Sequence, residues 1–177
     1  MRMQRQQFLL FRVFRFQDAK AYSELYDLYV ARMRRYVFFK VPKPEDADEL
    51  TAEVFLRGWE YATSSQVEYP GALFYKIARN VIADFYRRYQ EESSLEDVKE
   101  VADQSRPSLG DQVDLKDETD ALLAKLKLLK EEYREVLIMR YLDEMSIKEI
   151  ALATEKNQTN IRVLLHRAKS ALKSLVD

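Results

Sequence analysis

Cysteine is absent from this 177-residue chain, which excludes disulfides, thiolate nucleophiles and sulfur-ligated zinc. A single histidine, His166, leaves no His-rich metal site and no Ser-His-Asp triad with a spare base. There are three glycines and four prolines, against about 12% for the two together in an average protein. So few chain-breakers argue against sheets joined by tight turns and for long helices. No run approaches the roughly 20 apolar residues of a membrane helix. The opening segment, MRMQRQQFLLFRVFRF, has Arg12 and Arg15 inside its apolar run and no small-residue cleavage site after it, so it fits a signal peptide poorly. It reads as an amphipathic first helix whose Phe and Leu side chains enter the core, with a membrane-surface helix as the alternative. The length suits one mid-sized domain or two small ones. Together the absences predict a soluble, intracellular, all-α, non-enzymatic protein with no metal and no cofactor.

What is present is a strong segregation of charge. The net charge of −1 divides into about +4 over residues 1–90, −8 over 91–120 and +3 over 121–177. The expected organisation is therefore two small helical domains, 1–90 and 121–177, joined by an acidic flexible linker over 91–120. That linker carries Ser93, Ser94, Ser105, Pro107, Ser108 and Gly110, and its high charge and few aromatics predict poor order. It reads either as a solvated spacer or as an acidic strand that competes with nucleic acid for a basic groove.

In the first domain Tyr22, Tyr26, Tyr29, Met33 and Tyr36 recur at steps of four and three, with Leu25 and Val37 widening the stripe: one face of a helix. Pro42 and Pro44 end it. A second helix, announced by Asp46, covers about 47–61, with Leu50, Val54 and Trp59 toward the core. Glu49, Ala52, Glu53 and Leu56 form another stripe on it, which reads as a solvated face or as a dock for a basic partner helix. Asp46, Asp48 and Glu49 are explained by helix capping and the macrodipole rather than by a metal. Residues 62–71, ATSSQVEYPG, predict a polar loop with a turn at Pro70-Gly71. A third helix over about 72–89 has Phe74, Ile77, Val81 and Phe85 on its apolar side and Lys76, Arg79, Asn80, Asp84, Arg87 and Arg88 on the other. Beside Tyr69, Tyr75 and Tyr86 these read as a nucleic-acid surface, where aromatics stack on unpaired bases while Lys and Arg hold phosphates, or as an ordinary solvated face with the tyrosines packed in the core.

In the second domain Leu122, Leu126 and Leu129 form one stripe and Tyr133, Val136, Leu137 and Tyr141 another. Ser146 and Glu149 make a capping box that opens a short helix through Ala153. Thr154–Asn157 is a turn, and a last helix over about 158–176 has the seam Ile161, Leu165, Ala168, Leu172 and Leu175. A short capped helix, a turn and a longer basic helix read either as part of a helical bundle with no DNA role or, by resemblance, as the helix-turn-helix motif. In that geometry Gln158, Thr159, Arg162, Val163 and His166 face duplex DNA, with Arg167, Lys169 and the helix start at Ser146 toward phosphates.

Taken in order, ELYDLYVARMRRYV (24–37), DADELTAEVFLRGW (46–59), YKIARNVIADFYRR (75–88), YREVLIMRYLDEMSIKEIA (133–151) and NIRVLLHRAKSAL (160–172) resemble bacterial RNA polymerase sigma factors of the small extracytoplasmic-function group. The resemblance implies a non-catalytic specificity subunit in the cytoplasm. Its partners would be core RNA polymerase and promoter DNA, with an anti-sigma factor as inhibitor and no small-molecule substrate. It implies polymerase docking through Glu49, Ala52, Glu53 and Leu56. The proximal promoter element, captured as single strand, would meet Ser64, Ser65, Gln66, Tyr69, Lys76, Arg79, Asn80, Asp84, Arg87 and Arg88. The distal element, read as duplex, would meet Ser146, Gln158, Thr159, Arg162, Val163, His166, Arg167 and Lys169. The linker would thread toward the polymerase active centre as a nucleic-acid mimic. The chain departs from the family pattern at Ala52 (usually Gln), Leu73 (Trp), Lys130 (Pro) and Glu155 (Gly), and Lys130 is expected to extend a helix.

Two other readings fit parts of the sequence. A helix-turn-helix regulator that acts without polymerase explains only the second domain, and a helical interaction protein leaves the basic faces incidental. No phosphate-cradling glycine loop or convergent acid-base pair supports an enzyme.

Overall fold

The computed structural model describes residues 2–93, 125–126 and 128–176. Every regular element among them is a helix. They fall into two compact units on either side of residues 109 and 110. The remainder of the expected linker, residues 94–120, and Leu122 lie outside the described residues.

The first unit contains α1 (Arg2–Phe16), α2 (Ala19–Phe38), α3 (Pro44–Ser64) and α4 (Pro70–Ser93). Its tightest corner joins α1 to α2. Gln17 takes a left-handed φ of 50° and ends α1. Asp18 then caps α2, accepting hydrogen bonds from the backbone N–H groups of Lys20 and Ala21 at 2.9 and 3.1 Å. The other Asp18 oxygen accepts from Arg12 Nε and Nη2 at 2.9 and 2.5 Å, so one carboxylate pins both helices. Prolines open the next two: Pro44 stands in the first turn of α3, where Lys43 supplies no side-chain cap, and α4 begins at Pro70. A proline lacks only an N–H that has no intrahelical partner at that position. Pro44 thus starts α3 rather than merely ending α2, and Pro70-Gly71 lies within α4 rather than in a turn. At its other end α4 runs through Ser93, three residues into the expected linker.

Leu25, Tyr29, Met33, Tyr36 and Val37 of α2 are buried, whereas Tyr26 is exposed and Tyr22 only partly covered. The buried stripe therefore keeps Tyr29, Met33 and Tyr36 and takes Leu25 in place of Tyr26. From α3 come Leu50, Val54 and Phe55, and from α4 Phe74, Tyr75, Ile77 and Val81. The Phe74 ring sits between Tyr29 and Phe55, with centroids 5.1 and 5.0 Å away. On α1, Leu9, Leu10 and Val13 pack against Ala21, Leu25 and Ala62. Phe8, Phe11 and Phe16 do not enter the core as expected: each is more than half exposed. They lie outside the side of α1 occupied by α2 and α3, and one helix face accommodates only the Leu-Leu-Val set.

The second unit contains α5 (Glu131–Leu137), which runs into a π turn (Ile138–Leu142), then α6 (Ile147–Thr154) and α7 (Gln158–Val176). Lys130 does not extend a helix. Its ψ is 143°, and its carbonyl accepts from the N–H groups of Tyr133 and Arg134, both at 3.0 Å, so it stands at the start of α5. The π turn adds one residue to the helical repeat and turns Tyr141 outward, where it is exposed rather than part of a buried stripe. Arg140 Nη1 donates to the Met145 carbonyl at 2.7 Å, closing the bend.

The capping box is complete. Glu149 N–H donates to Ser146 Oγ at 3.2 Å, and Ser146 N–H donates to Glu149 Oε2 at 2.8 Å. Glu155 ends α6 in the left-handed region, with φ 55° and ψ 32°. Asn157 Oδ1 then accepts from Asn160 N–H at 2.7 Å, a cap for α7 that the reading of 154–157 as a plain turn missed. Ile161, Leu165 and Ala168 of α7 are buried against α5 and α6. The seam fades beyond them: Leu172 is half-buried and Leu175 exposed.

Candidate nucleic-acid and partner interfaces

α3 buries Ala47, Leu50, Thr51, Val54, Phe55, Gly58 and Ala62, so helical geometry turns Glu49, Ala52 and Leu56 outward and leaves Glu53 at the boundary. Leu56 is 56% exposed, an apolar side chain that nothing in its own unit covers. The four residues of the expected docking stripe do lie together. Glu53 is not an isolated carboxylate, however, because its Oε1 accepts from Arg57 Nε at 2.7 Å.

Arg57 reaches across to α4, where its Nη1 donates to Asp84 Oδ2 at 2.9 Å. Asp84 Oδ1 accepts in turn from Arg87 Nη2 at 2.5 Å. The hydrogen bond from Arg57, together with the neighbouring charges of Arg87, Arg57 and Arg88, holds the Asp84 carboxyl below its ordinary range. Asp84 was expected among residues that face DNA. In the structure it is the junction between two arginines, half-buried beside α3. Arg57 was missed, although its spacing of four from Glu53 is the sequence signal of an i,i+4 pair.

The segment before α4 is shorter than expected. Ser64 is the last residue of α3, and its hydroxyl donates to the Glu60 carbonyl at 2.9 Å. The connection proper is Ser65–Tyr69, with Gln66 exposed and Ser65 and Tyr69 partly covered. Along α4, Lys76, Asn80, Arg87 and Arg88 are exposed and Arg79 is half-buried. Tyr75 is not on that surface. It is 1% exposed and stacks edge-on against Tyr36 at 4.8 Å, because it falls on the side of α4 that meets α2. Tyr86 is exposed, and its hydroxyl donates to the Lys40 carbonyl at 2.7 Å. Between the start of α3 and residues 85–89 of α4 lies a groove of about 330 Å³ lined by Asp46, Glu49, Leu50, Phe85, Arg88 and Tyr89, so Glu49 of the α3 stripe and Arg88 line one groove.

In the second unit Gln158, Thr159, Arg162, Val163, His166, Arg167 and Lys169 are all exposed, on the side of α7 opposite its buried seam. Arg162 Nη2 lies 3.4 Å from Gln158 Oε1, which places a guanidinium fork and an amide side by side. Both are groups that read base edges in a major groove. Lys169 Nζ sits 5.0 Å from the Tyr141 ring centroid, so the outward turn of Tyr141 gives this lysine an aromatic rest. The Ser146 hydroxyl oxygen accepts the Glu149 N–H in the capping box, and its own O–H remains a donor at that helix start. Among the described residues no cluster of three metal-ligating side chains occurs, and no helix is long and apolar enough to cross a membrane.

A four-helix unit with an acidic and apolar stripe beside a helix that carries exposed Lys and Arg, and a second unit built on a capped helix-turn-helix, define a two-module helical protein. Residues 22–92 match the family model for sigma-70 region 2, and residues 119–172 match that for sigma-70 region 4. The chain is 30% identical over 163 residues to the ECF RNA polymerase sigma factor BldN of Streptomyces coelicolor, covering 90% of this chain and 61% of that protein. It is 25% identical over 155 residues to the ECF sigma factor SigM of Bacillus subtilis, covering 86% and 93%. Its fold is similar to that of CnrH, solved with the cytosolic domain of CnrY, at a TM-score of 0.64 and 19% identity over 98% of this chain and 97% of that one. It is also similar to the sigma factor RpoE of Bartonella quintana, solved with the anti-sigma factor NepR, at 0.61 and 19% over 89% and 98%.

The chain belongs to the sigma-70 family of RNA polymerase sigma factors, in the extracytoplasmic-function group, whose members direct promoter-specific transcription initiation. A regulator that never meets polymerase is not favoured, because the region 2 match covers the unit which that reading leaves without a task.

Proposed function

We propose that this chain directs initiation as a non-catalytic, cytoplasmic specificity subunit, with its two units engaging separate promoter elements. The outward stripe Glu49, Ala52, Glu53 and Leu56 docks on core RNA polymerase. The Ser65–Tyr69 connection, together with Ser64, Lys76, Arg79, Asn80, Arg87 and Arg88, holds the melted proximal element. There phosphates meet Lys and Arg while an unstacked base enters beside Tyr69. Asp84 contributes by orienting Arg87 rather than by touching DNA. Gln158, Thr159, Arg162, Val163 and His166 read the distal element as duplex, with Arg167, Lys169 and the start of α6 at Ser146 on its backbone.

The observation that carries this reading is the exposure of Leu56, at 56%, in the middle of an otherwise orderly amphipathic helix. An uncovered leucine one turn from Glu53, at the end of a stripe that begins with Glu49, fits a partner surface that offers both apolar and basic groups. The acidic segment 91–120 acts as a nucleic-acid mimic on the path toward the polymerase active centre. An anti-sigma factor, of the kind solved with RpoE of Bartonella quintana, holds the protein when it is off duty.

In-vitro transcription with the cognate core polymerase on a library of promoter fragments tests the proposal. Initiation from a subset sharing two spaced motifs is the expected result. No initiation above core enzyme alone, with duplex binding by the protein retained, overturns it.

A further inference from the structure

We propose that Arg57 is a positioning residue that couples the docking face of α3 to the strand-binding face of α4, by setting how tightly Asp84 holds Arg87. The inference rests on the reading above, in which Glu53 docks on polymerase and Arg87 binds the promoter strand.

Glu53, Arg57, Asp84 and Arg87 form a line of alternating charge with hydrogen bonds of 2.7, 2.9 and 2.5 Å. One guanidinium serves two carboxylates: Arg57 Nε takes Glu53, and Nη1 takes Asp84. One carboxylate likewise serves two guanidiniums through its separate oxygens. Each bond in such a line competes with its neighbour for the shared group. The exposures set the direction of the effect. Arg57 and Asp84 are 37% and 33% exposed and hold one another in place, whereas Arg87 at 68% is the member open to a ligand.

A cation on a docked partner that draws Glu53 away leaves Arg57 wholly to Asp84. The better-neutralised Asp84 then holds Arg87 less firmly, and Arg87 turns to a phosphate. Docking thereby raises affinity for the strand. Loss of the Arg57 fork does the reverse, because Asp84 then spends its whole charge on Arg87. Lysine cannot substitute, since a point-charge ammonium does not present two N–H groups in the fixed fork that spans both carboxylates.

The test is fluorescence anisotropy of a labelled single-stranded oligonucleotide of mixed sequence, titrated with the full chain at low salt. Glu53→Gln is expected to tighten binding by about two- to fivefold, and Arg57→Lys to weaken it by a similar factor, the range of exposed ion pairs. Both effects are expected to vanish in an Arg87→Ala background. The change in net charge made by Glu53→Gln would persist there if long-range attraction were its cause, and Arg57→Lys changes no charge at all. The inference is overturned if Arg87→Ala weakens binding while Glu53→Gln and Arg57→Lys leave it unchanged, or if their effects survive in the Arg87→Ala background. If Arg87→Ala itself leaves binding unchanged, Arg87 does not bind the strand, and that assignment and the inference fall together.

Discussion

Gly58 and Phe74 meet where α3 crosses α4, at a distance that admits no side chain between them: a Cβ on Gly58 would lie 2.7 Å from Phe74 Cε1 and equally close to the Tyr22 hydroxyl. Neither neighbour can yield easily. Phe74 is 1% exposed and hemmed in by Tyr29 and Phe55, and the Tyr22 hydroxyl donates to the Phe55 carbonyl. Gly58→Ala is expected to destabilise the first unit by about 1–3 kcal/mol through overpacking. Urea denaturation followed by tryptophan fluorescence reads this directly, because Trp59 packs against Tyr22 with ring centroids 5.1 Å apart. An unchanged midpoint would mean that the two helices separate freely at this crossing.

Glu155 holds a left-handed conformation between α6 and α7, where a Cβ costs roughly 1–2 kcal/mol. Glycine there escapes the clash but loses more chain entropy on folding, so Glu155→Gly is expected to raise stability by no more than about 1 kcal/mol. Thermal melting monitored by circular dichroism checks the sign. A lower melting temperature would show that the glutamate side chain contributes more than its backbone strain costs.

Glu53→Arg reverses the charge at the edge of the docking stripe and places a second guanidinium beside Arg57. We expect polymerase capture to fall at least about tenfold, the scale of a like-charge contact at an interface, with the helical signal retained because the lost pair is half-exposed. Pull-down with cognate core polymerase measures it, and unchanged capture would remove Glu53 from the interface.

Arg162 and Gln158 stand together at the exposed start of α7. Arg162→Ala is expected to relax recognition of one base pair in the distal element by roughly 1–3 kcal/mol if the fork reads a guanine. Binding to a panel of single-base variants distinguishes this from a uniform loss on every sequence, which would assign Arg162 to a phosphate.

Asp18, Asp48 and Asp84 all have carboxyls held below their ordinary value of 3.8. The largest cause is the Ala21 N–H for Asp18, the Arg34 hydrogen bond for Asp48 and the Arg57 hydrogen bond for Asp84. Below their ordinary pKa the unfolded chain binds protons that the folded chain still refuses, so stability falls as the pH drops. The contribution is complete above about pH 5 and is lost as the pH descends through the folded-state values. Urea midpoints measured between pH 7 and pH 3 are expected to fall more steeply for the wild type than for Asp84→Asn. Parallel curves would place the acid sensitivity elsewhere.

The helical fold was legible in the sequence because its carriers are local. A period of 3.6 in apolar residues and the Ser146–Glu149 capping box both act within a turn or two of chain, whereas Pro44 and Pro70 read as breaks in the sequence although each opens a helix. The exposed face of α7 was legible for the same reason, since the seam Ile161, Leu165 and Ala168 fixes where Arg162 and His166 must point. Wherever more apolar residues were available than one face can bury, periodicity left the choice open. It did not tell Leu9, Leu10 and Val13 from Phe8, Phe11 and Phe16, nor Leu25 from Tyr26, nor inward Tyr75 from outward Tyr86. Those choices depend on which neighbouring helix lies on which side, and that is a property of packing. The link from Arg57 to Asp84 spans 27 residues of sequence and exists only because α3 and α4 lie against each other. The sequence by itself determined where the helices run and which of their faces carry charge. Only the tertiary structure decided which charges meet between helices, because a pair such as Arg57 and Asp84 forms by distance in space, to which distance along the chain is no guide.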